Sequence, residues 1–589
     1  MFRILLLVIL FLHSTAFALP PIMPLDEVQQ GMQGTAYTVV ESSGALNSFN
    51  VKIVGKIQNG KATASYILAE ATGDLIDRTN GILQGMSGSP VYVNGKLVGA
   101  VSAGLKEMTP RTFLITPIES MLKIWDMPDN FVTNPYKEKA EEKPVKELVA
   151  NVDEEIFDKE EISAEENFAE DAEEKMVFIY NGFDSAGLNY LQNIFPDFQK
   201  MTLSAANDET NLKFDATLYN GAPFGVAVVC GDFLVASTGT VTLVEGNKIL
   251  GYGHPFTHSG NTNFFMTDAN VIGTAAGVPG NGARFASIGN IIGRINQDRE
   301  AGIGGILGQF PSVIPISITV NDDNYNSIMA YNESLVAKLG ATLAYSALSK
   351  SADSLAESTV KVSFDIKTNA LEGGNFSREN IFYSPSDVGQ LAITELLTAL
   401  TLVTSNTTAE SDIFGIDVKI EHELGRKTAS LVKAEPLKKL VKPGETVDLK
   451  VTLQPYRKPA EEIIVKYTVP LAARKGKFVL DLHGGGLVPV VQTQAAGVVM
   501  PSTKSPAELY KEKFSQLLRS NKNNEIIIKP AVVAKTEKEL KEDIKRARKI
   551  LAQLEKSGKK LSANQPPSKV ATEYIIDNVI QCTLIVDEF

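Results

Sequence analysis

Leu83-Gln84-Gly85-Met86-Ser87-Gly88-Ser89-Pro90-Val91-Tyr92-Val93-Asn94-Gly95-Lys96-Leu97-Val98-Gly99-Ala100-Val101-Ser102 is the stretch on which the reading of this chain turns. Its second half predicts a β-hairpin. Apolar residues flank Asn94-Gly95, the dipeptide that tolerates positive φ at both central positions of a type I′ turn. Its first half predicts a tight turn. Gly85 and Gly88 free the backbone to reverse sharply around Ser87, so that amide N–H groups converge beside a serine hydroxyl. In a Gly-x-Ser-Gly arrangement the amides of Gly85 and Ser87 form an oxyanion hole. Each such donor supplies roughly 3 kcal/mol of stabilisation to a developing oxyanion. A plain Gly/Ser/Pro turn is the blander explanation, and the hairpin running on into Gly99-Ala100-Val101-Ser102 weighs against it.

A serine hydroxyl becomes a nucleophile beside a general base, usually histidine. The chain has five histidines. His13 lies in an N-terminal apolar segment, and His422 and His483 fall in a distal β-rich region. That leaves His254 and His258 in Gly251-Tyr252-Gly253-His254-Pro255-Phe256-Thr257-His258. His254 directly follows a predicted hairpin and is flanked by Gly and Pro, which fixes its exit from the strand. It is preferred over His258 as the base.

Composition bounds the alternatives. At 589 residues the chain is too long for one core, so several domains are expected. Met1-Phe2-Arg3, an unbroken Leu/Ile/Val/Phe run over residues 4–12 and Ala16-Phe17-Ala18 read together as a secretory signal at residues 1–18. The apolar run is shorter than the ~20 residues a bilayer span requires. A later apolar stretch, residues 391–403, is short and contains Glu395, which favours a buried or amphipathic helix. The expectation is a protein exported to the periplasm or secreted, with no stable membrane insertion. Two cysteines, Cys230 and Cys582, are too few for a disulfide framework or a zinc site. One bridge between them and two separate buried thiols both remain open. No metal or other cofactor is implied. The net charge of −12 is concentrated in residues 137–175, where sixteen acidic residues face six basic ones. The remainder is nearly neutral and offers no basic face to nucleic acid.

The pattern along the chain is mainly β. Residues 19–127 read as one compact β unit containing the serine motif. Residues 128–175, rich in Glu, Lys and Ala, read as an acidic flexible linker that cannot bury enough apolar surface to order itself. A second β unit, residues 176–346, contains the histidine motif, and its Gly- and Asn-rich residues 260–310 read as long surface loops. A mixed α/β extension is expected at 347–410, a small β-sandwich at 411–495 and a helical tail with a final strand at 496–589.

The serine segment from Leu83 to Pro90, with its Asn94-Gly95 hairpin, resembles the active-site serine segment of the SpoIVB peptidase family. Gly253-His254 resembles that family's Gly-His segment. Gly293-Arg294-Ile295-Asn296-Gln297-Asp298-Arg299, followed by Ala301-Gly302-Ile303-Gly304-Gly305, resembles the loop after it. The resemblance covers residues 23–126 and 210–335. It implies a serine endopeptidase built from two trypsin-like β-barrel halves, acting on a protein or peptide outside the cytoplasm, with Ser87 as nucleophile and His254 as base. Three departures accompany it: the serine half precedes the histidine half, no PDZ domain is recognisable, and the family's acidic position corresponds to Thr72. Asp74 is the nearest replacement, with Asp77 and Asp268 as alternatives; a serine–histidine dyad would also function. The competing reading is a non-catalytic envelope scaffold that keeps the fold and binds an envelope protein through its β-sandwich. A third is self-processing in the acidic linker.

Overall fold

The computed structural model describes residues 19–57, 65–105, 109–129, 172–174, 177–194, 211–275, 282–371, 373–407, 409, 411–486, 505–531, 536–556, 558 and 568–587. The predicted signal segment, His13 and nearly all of the acidic linker lie outside these residues. The protein is mainly β, with barrel-like sheets. It divides into two compact units, the first comprising the described parts of Met1–Gly182, Phe195–Val313 and Ser327–Asn332.

Within the first unit, β1 (Gln33–Val39), β2 (Leu46–Ile57), β3 (Tyr66–Thr72), β4 (Pro90–Val93), β5 (Lys96–Leu105) and β6 (Thr112–Pro117) form one sheet. Its order is β4-β1-β2-β3-β6-β5, and a further β4–β5 pairing closes it into a ring. Closure is driven by period-2 alternation: Phe49, Val51 and Ile53 of β2 point inward between exposed Asn50 and Lys52. Phe113 of β6 meets Phe49 edge-to-face at 6.4 Å. Asn94 and Gly95 have φ of 51° and 74°, and Val93 pairs with Lys96 across the expected hairpin. Helix α1 (Asp74–Thr79) lies between β3 and the Ser87 turn. A short helix, α2 (Ile118–Leu122), and one 3-10 turn follow β6. At the other end of the acidic segment, β7 (Ala172–Glu174) pairs antiparallel with Ala103–Leu105 of β5.

A second ring follows in the same unit. It consists of β9 (Pro223–Gly231), β10 (Leu234–Glu245), β11 (Lys248–Gly251), β12 (Gly260–Ala275), β13 (Ala283–Arg299) and β14 (Gly302–Leu307), with β8 (Val177–Asn181) added beside β10. The pairings run β9-β10-β11-β14-β13-β12 and return to β9. Here the structure departs from the expectation of surface loops over residues 260–310. Most of that stretch is two long strands and a third packed beside them. Two of its glycines sit where a side chain has no room: a Cβ on Gly293 would lie 2.3 Å from the Ile306 carbonyl oxygen, and one on Gly289 would lie 1.9 Å from Asp268 Oδ1. Repeated register shifts along β12–β13 mark bulges, which bend such long strands.

The second unit holds a sheet, three helices packed beside one another (Ser185–Ile194, Glu333–Ser351, Thr394–Thr404) and a β-sandwich. Glu395 in the apolar stretch forms an ion pair with buried Arg378, and among the described residues no helix is long and apolar enough to cross a membrane. The sandwich boundaries differ from those expected. Ile413–Leu424 pairs with Ser358–Thr368 in the other sheet, while Glu525–Pro530, Ser568–Ala571 and Val579–Val586 from the supposed tail complete the sandwich. Leu449, Val451, Leu480, Ile526 and Leu584 share its core, so burial of one common apolar face recruits strands from both regions. The helix Glu537–Lys556 buries Ala547, Ile550 and Leu554 against Leu471. Cys230 and Cys582 are free, buried thiols.

Candidate active site

Ser87 sits in a turn whose peptide groups are almost all engaged. Gly85 and Gly88 have φ of 89° and 93°, as the sharp reversal requires. A Cβ on Gly88 would fall 1.9 Å from the Thr240 carbonyl oxygen and 2.6 Å from the Tyr252 amide, so only glycine lets the turn approach the second ring. Within the turn, Met86 N–H donates to the Leu83 carbonyl, and Ser89 donates to the Met86 carbonyl from both its N–H and its Oγ (2.6 Å). Gly88 N–H donates to Val101 O at 2.7 Å, and Val101 N–H to Ser89 O.

Strand β10 supplies the rest. Thr240 Oγ1 donates to Gly85 O at 3.1 Å, Thr240 N–H to Ser87 O at 2.8 Å and Thr242 Oγ1 to Gly88 O at 2.7 Å. Two amides are left over. Among the described residues neither Gly85 N–H nor Ser87 N–H makes a hydrogen bond. Their direction follows from their peptide partners, because the C=O and N–H of a trans peptide point opposite ways. Gln84 O accepts from Arg284 N–H at 2.9 Å, and Met86 O is held by Ser89. Both free N–H groups therefore face away from those contacts.

His254 follows β11 at a strained point. Tyr252 has φ of 66°, unusual for a bulky residue, and its buried ring packs 5.3 Å from Phe224 and 5.7 Å from the His254 ring. Burial raises the Tyr252 phenol far above its ordinary pKa. The next residue, Gly253, sits against the Val101 carbonyl that also binds Gly88 N–H, and Thr116 Oγ1 donates to Gly253 O at 2.5 Å. The histidine segment and the serine turn are thus packed on the same strand, β5. His254 Nδ1 lies 2.7 Å from the Pro255 carbonyl oxygen. A carbonyl only accepts, so Nδ1 carries a proton, and in the neutral tautomer Nε2 is the nitrogen with the lone pair. Ser87 Oγ and His254 Nε2 are both buried without a hydrogen-bond partner. Ser87 is 1% exposed and His254 2%.

The candidate acids are placed elsewhere. Asp74 is exposed in the first turn of α1, and Asp77 is exposed and paired with Arg111 at 2.8 Å. Asp268 accepts from Asn290 N–H at 2.6 Å, bracing a bulge of the β12–β13 pair. Among the described residues no carboxylate hydrogen-bonds His254. His258 is on the surface, 3.8 Å from Glu300.

The residue that holds the histidine loop is one the sequence reading quoted without assigning. Asp298 is fully buried and accepts from Phe256 N–H (2.7 Å), Thr257 N–H (2.8 Å), Thr257 Oγ1 (2.8 Å) and Ser259 N–H (3.1 Å). An acid placed in the β-patterned run Gly293–Arg299 was the available signal, since an inward carboxylate needs donors to meet it. Arg284 went unnoticed as well. It is fully buried and lies against Gly85.

No curated protein and no solved structure matches this chain. A family model does, over the first ring, including the Ser87 turn and excluding His254: residues 14–122 match SpoIVB peptidase S55, which supports the family resemblance read from the serine motif.

Proposed function

We propose that this protein is an exported serine endopeptidase of the SpoIVB type, with its two rings acting as trypsin-like barrel halves in serine-first order. One observation carries the reading: a single turn leaves the Ser87 hydroxyl and the Gly85 and Ser87 amides free, beside a strand shared with His254, whose Nε2 is also free. In the reaction, Ser87 Oγ attacks a peptide carbonyl while His254 Nε2 takes its proton. The carbonyl oxygen, now negative, accepts from Gly85 and Ser87 N–H, and His254 passes the proton to the departing amine. Water then attacks the acyl-serine by the same route and releases the acid product. Pro255 O fixes the histidine tautomer as a triad acid would, but adds no full negative charge, so the site acts as a dyad. Export rests on the composition of residues 1–18.

The first substrate to test is the chain itself. Strand β7, at the end of the acidic segment, lies antiparallel on β5, the strand that binds the serine turn through Val101. The decisive experiment is labelling of folded mature protein with a fluorophosphonate probe, with Ser87→Ala as control and intact mass recorded for both. Labelling confined to Ser87 is expected, and a folded wild type that takes up no probe sinks the reading. In that case the second reading stands, a non-catalytic envelope scaffold, which the burial of both Ser87 and His254 favours.

A further inference from the structure

Arg284 is a buried cation with no carboxylate partner among the described residues. Its Nη1 donates to Val39 O at 3.1 Å and to Thr240 Oγ1 at 3.0 Å, and its Nη2 donates to Gly239 O at 2.7 Å. Its Nε has no hydrogen-bond partner and lies 3.4 Å from where a Cβ on Gly85 would be. Burial lowers the guanidinium pKa to about 10, which still leaves it charged at neutral pH. A charge placed in a dry interior against neutral acceptors alone is costly to keep.

Its contacts bracket one residue, Gly85, at the two peptide groups that flank it. The backbone N–H of Arg284 holds Gln84 O, which turns the Gly85 N–H the opposite way. Its side chain holds Thr240 Oγ1, which spends its single proton on Gly85 O. A threonine hydroxyl rotates to suit its partners, and accepting from Nη1 leaves its proton directed at Gly85. Gly85 is therefore fixed on both sides by the same residue, once directly and once through Thr240.

We propose that Arg284, acting through Thr240, is the positioning residue of the oxyanion turn, holding the Gly85 N–H aimed at the substrate carbonyl oxygen. The proposal rests on the peptidase reading above. Pre-set donors matter because their alignment needs no reorganisation when charge develops. The cation beside Gly85 also adds to the positive potential where that charge appears.

The test uses full-length mature protein and a fluorophosphonate probe, whose phosphoryl oxygen occupies the oxyanion position after Ser87 attacks. Thr240→Val keeps the shape and removes the hydroxyl; Thr240→Ser restores it; Arg284→Lys keeps charge but loses the fork. Limiting labelling rate and half-saturating probe concentration are measured separately, alongside the thermal midpoint. Thr240→Val is expected to lower the limiting rate roughly ten-fold, less than outright loss of an oxyanion donor, with half-saturation unchanged. Thr240→Ser should return to wild-type rate, and Arg284→Lys should fall between them. Folded Thr240→Val reacting as fast as wild type overturns the proposal, as does Thr240→Ser reacting as slowly as Thr240→Val. A wild type that takes up no probe removes the peptidase reading and this proposal together, a pattern distinct from either of the former.

Discussion

The serine turn and the histidine loop are built from different kinds of contact. Between Leu83 and Ser89 the peptide groups bond to one another, to β5, to β10 or, through Gln84, to Gly282 and Arg284 at the start of β13, and two glycines at positive φ make the geometry attainable. The loop after His254 contributes little to its own shape. Four of its donors converge on one carboxylate, Asp298, which lies 42 residues beyond Phe256 in the chain. The Ser87 turn is held by its own hydrogen bonds together with three strands, and the loop after His254 mainly by one carboxylate of a distant strand. Damage to the turn should therefore remove chemistry outright, and damage to the loop's anchor should act through stability and alignment.

The largest effects test the two groups themselves. Ser87→Ala should abolish fluorophosphonate labelling, and His254→Ala should slow it by roughly 10⁴-fold or more, both with unchanged circular dichroism. Next comes Gly88→Ala, where a methyl would enter the Thr240 carbonyl. It should destabilise the protein by about 4 kcal/mol, read as a lowered denaturant midpoint, because backbone must shift on both sides. Asp298→Ala leaves buried donors unpaired and should cost about 3 kcal/mol. Labelling should fall with it while Ser87 remains reactive at saturating probe. If stability holds but labelling disappears, Asp298 acts on the histidine itself and the contrast between turn and loop narrows. Asp74→Ala, at an exposed position on α1, should change the labelling rate by less than about two-fold. A loss of ten-fold or more would make Asp74 a working member of the site. The smallest effect concerns the thiols. Burial pushes the Cys230 thiol up to about 12 and raises that of Cys582, so little thiolate exists at pH 8. Native protein should resist iodoacetamide at both, and denatured protein should take up two equivalents.

Much of the serine half is legible along the chain because its rules are short-range. Asn94-Gly95 sets a hairpin, Gly85 and Gly88 set a turn, and alternation such as Phe49-Asn50-Val51-Lys52-Ile53 sets which face turns inward. Residues 260–310 mislead for a physical reason. Gly and Asn are common in loops, yet here they lie in the long, bulged strands β12–β13, where a Cβ on Gly289 or Gly293 would collide with a neighbour. The sandwich misleads because strands at 525–530, 568–571 and 579–586 look like tail pieces until their apolar faces find Leu449 and Leu480.

The sequence by itself determined the Ser87 turn, the hairpin behind it and the mainly β character. Each follows from backbone preferences and side-chain periodicity that act over a few residues. Only the tertiary structure decided that Pro255 O and not an aspartate meets His254, that Asp298 anchors its loop, and that Arg284 and Thr240 clamp Gly85. Apart from the one to neighbouring Pro255, those contacts join residues 42 to 155 positions apart, and a polar group's distant partner is set by how closed sheets bury their shared faces.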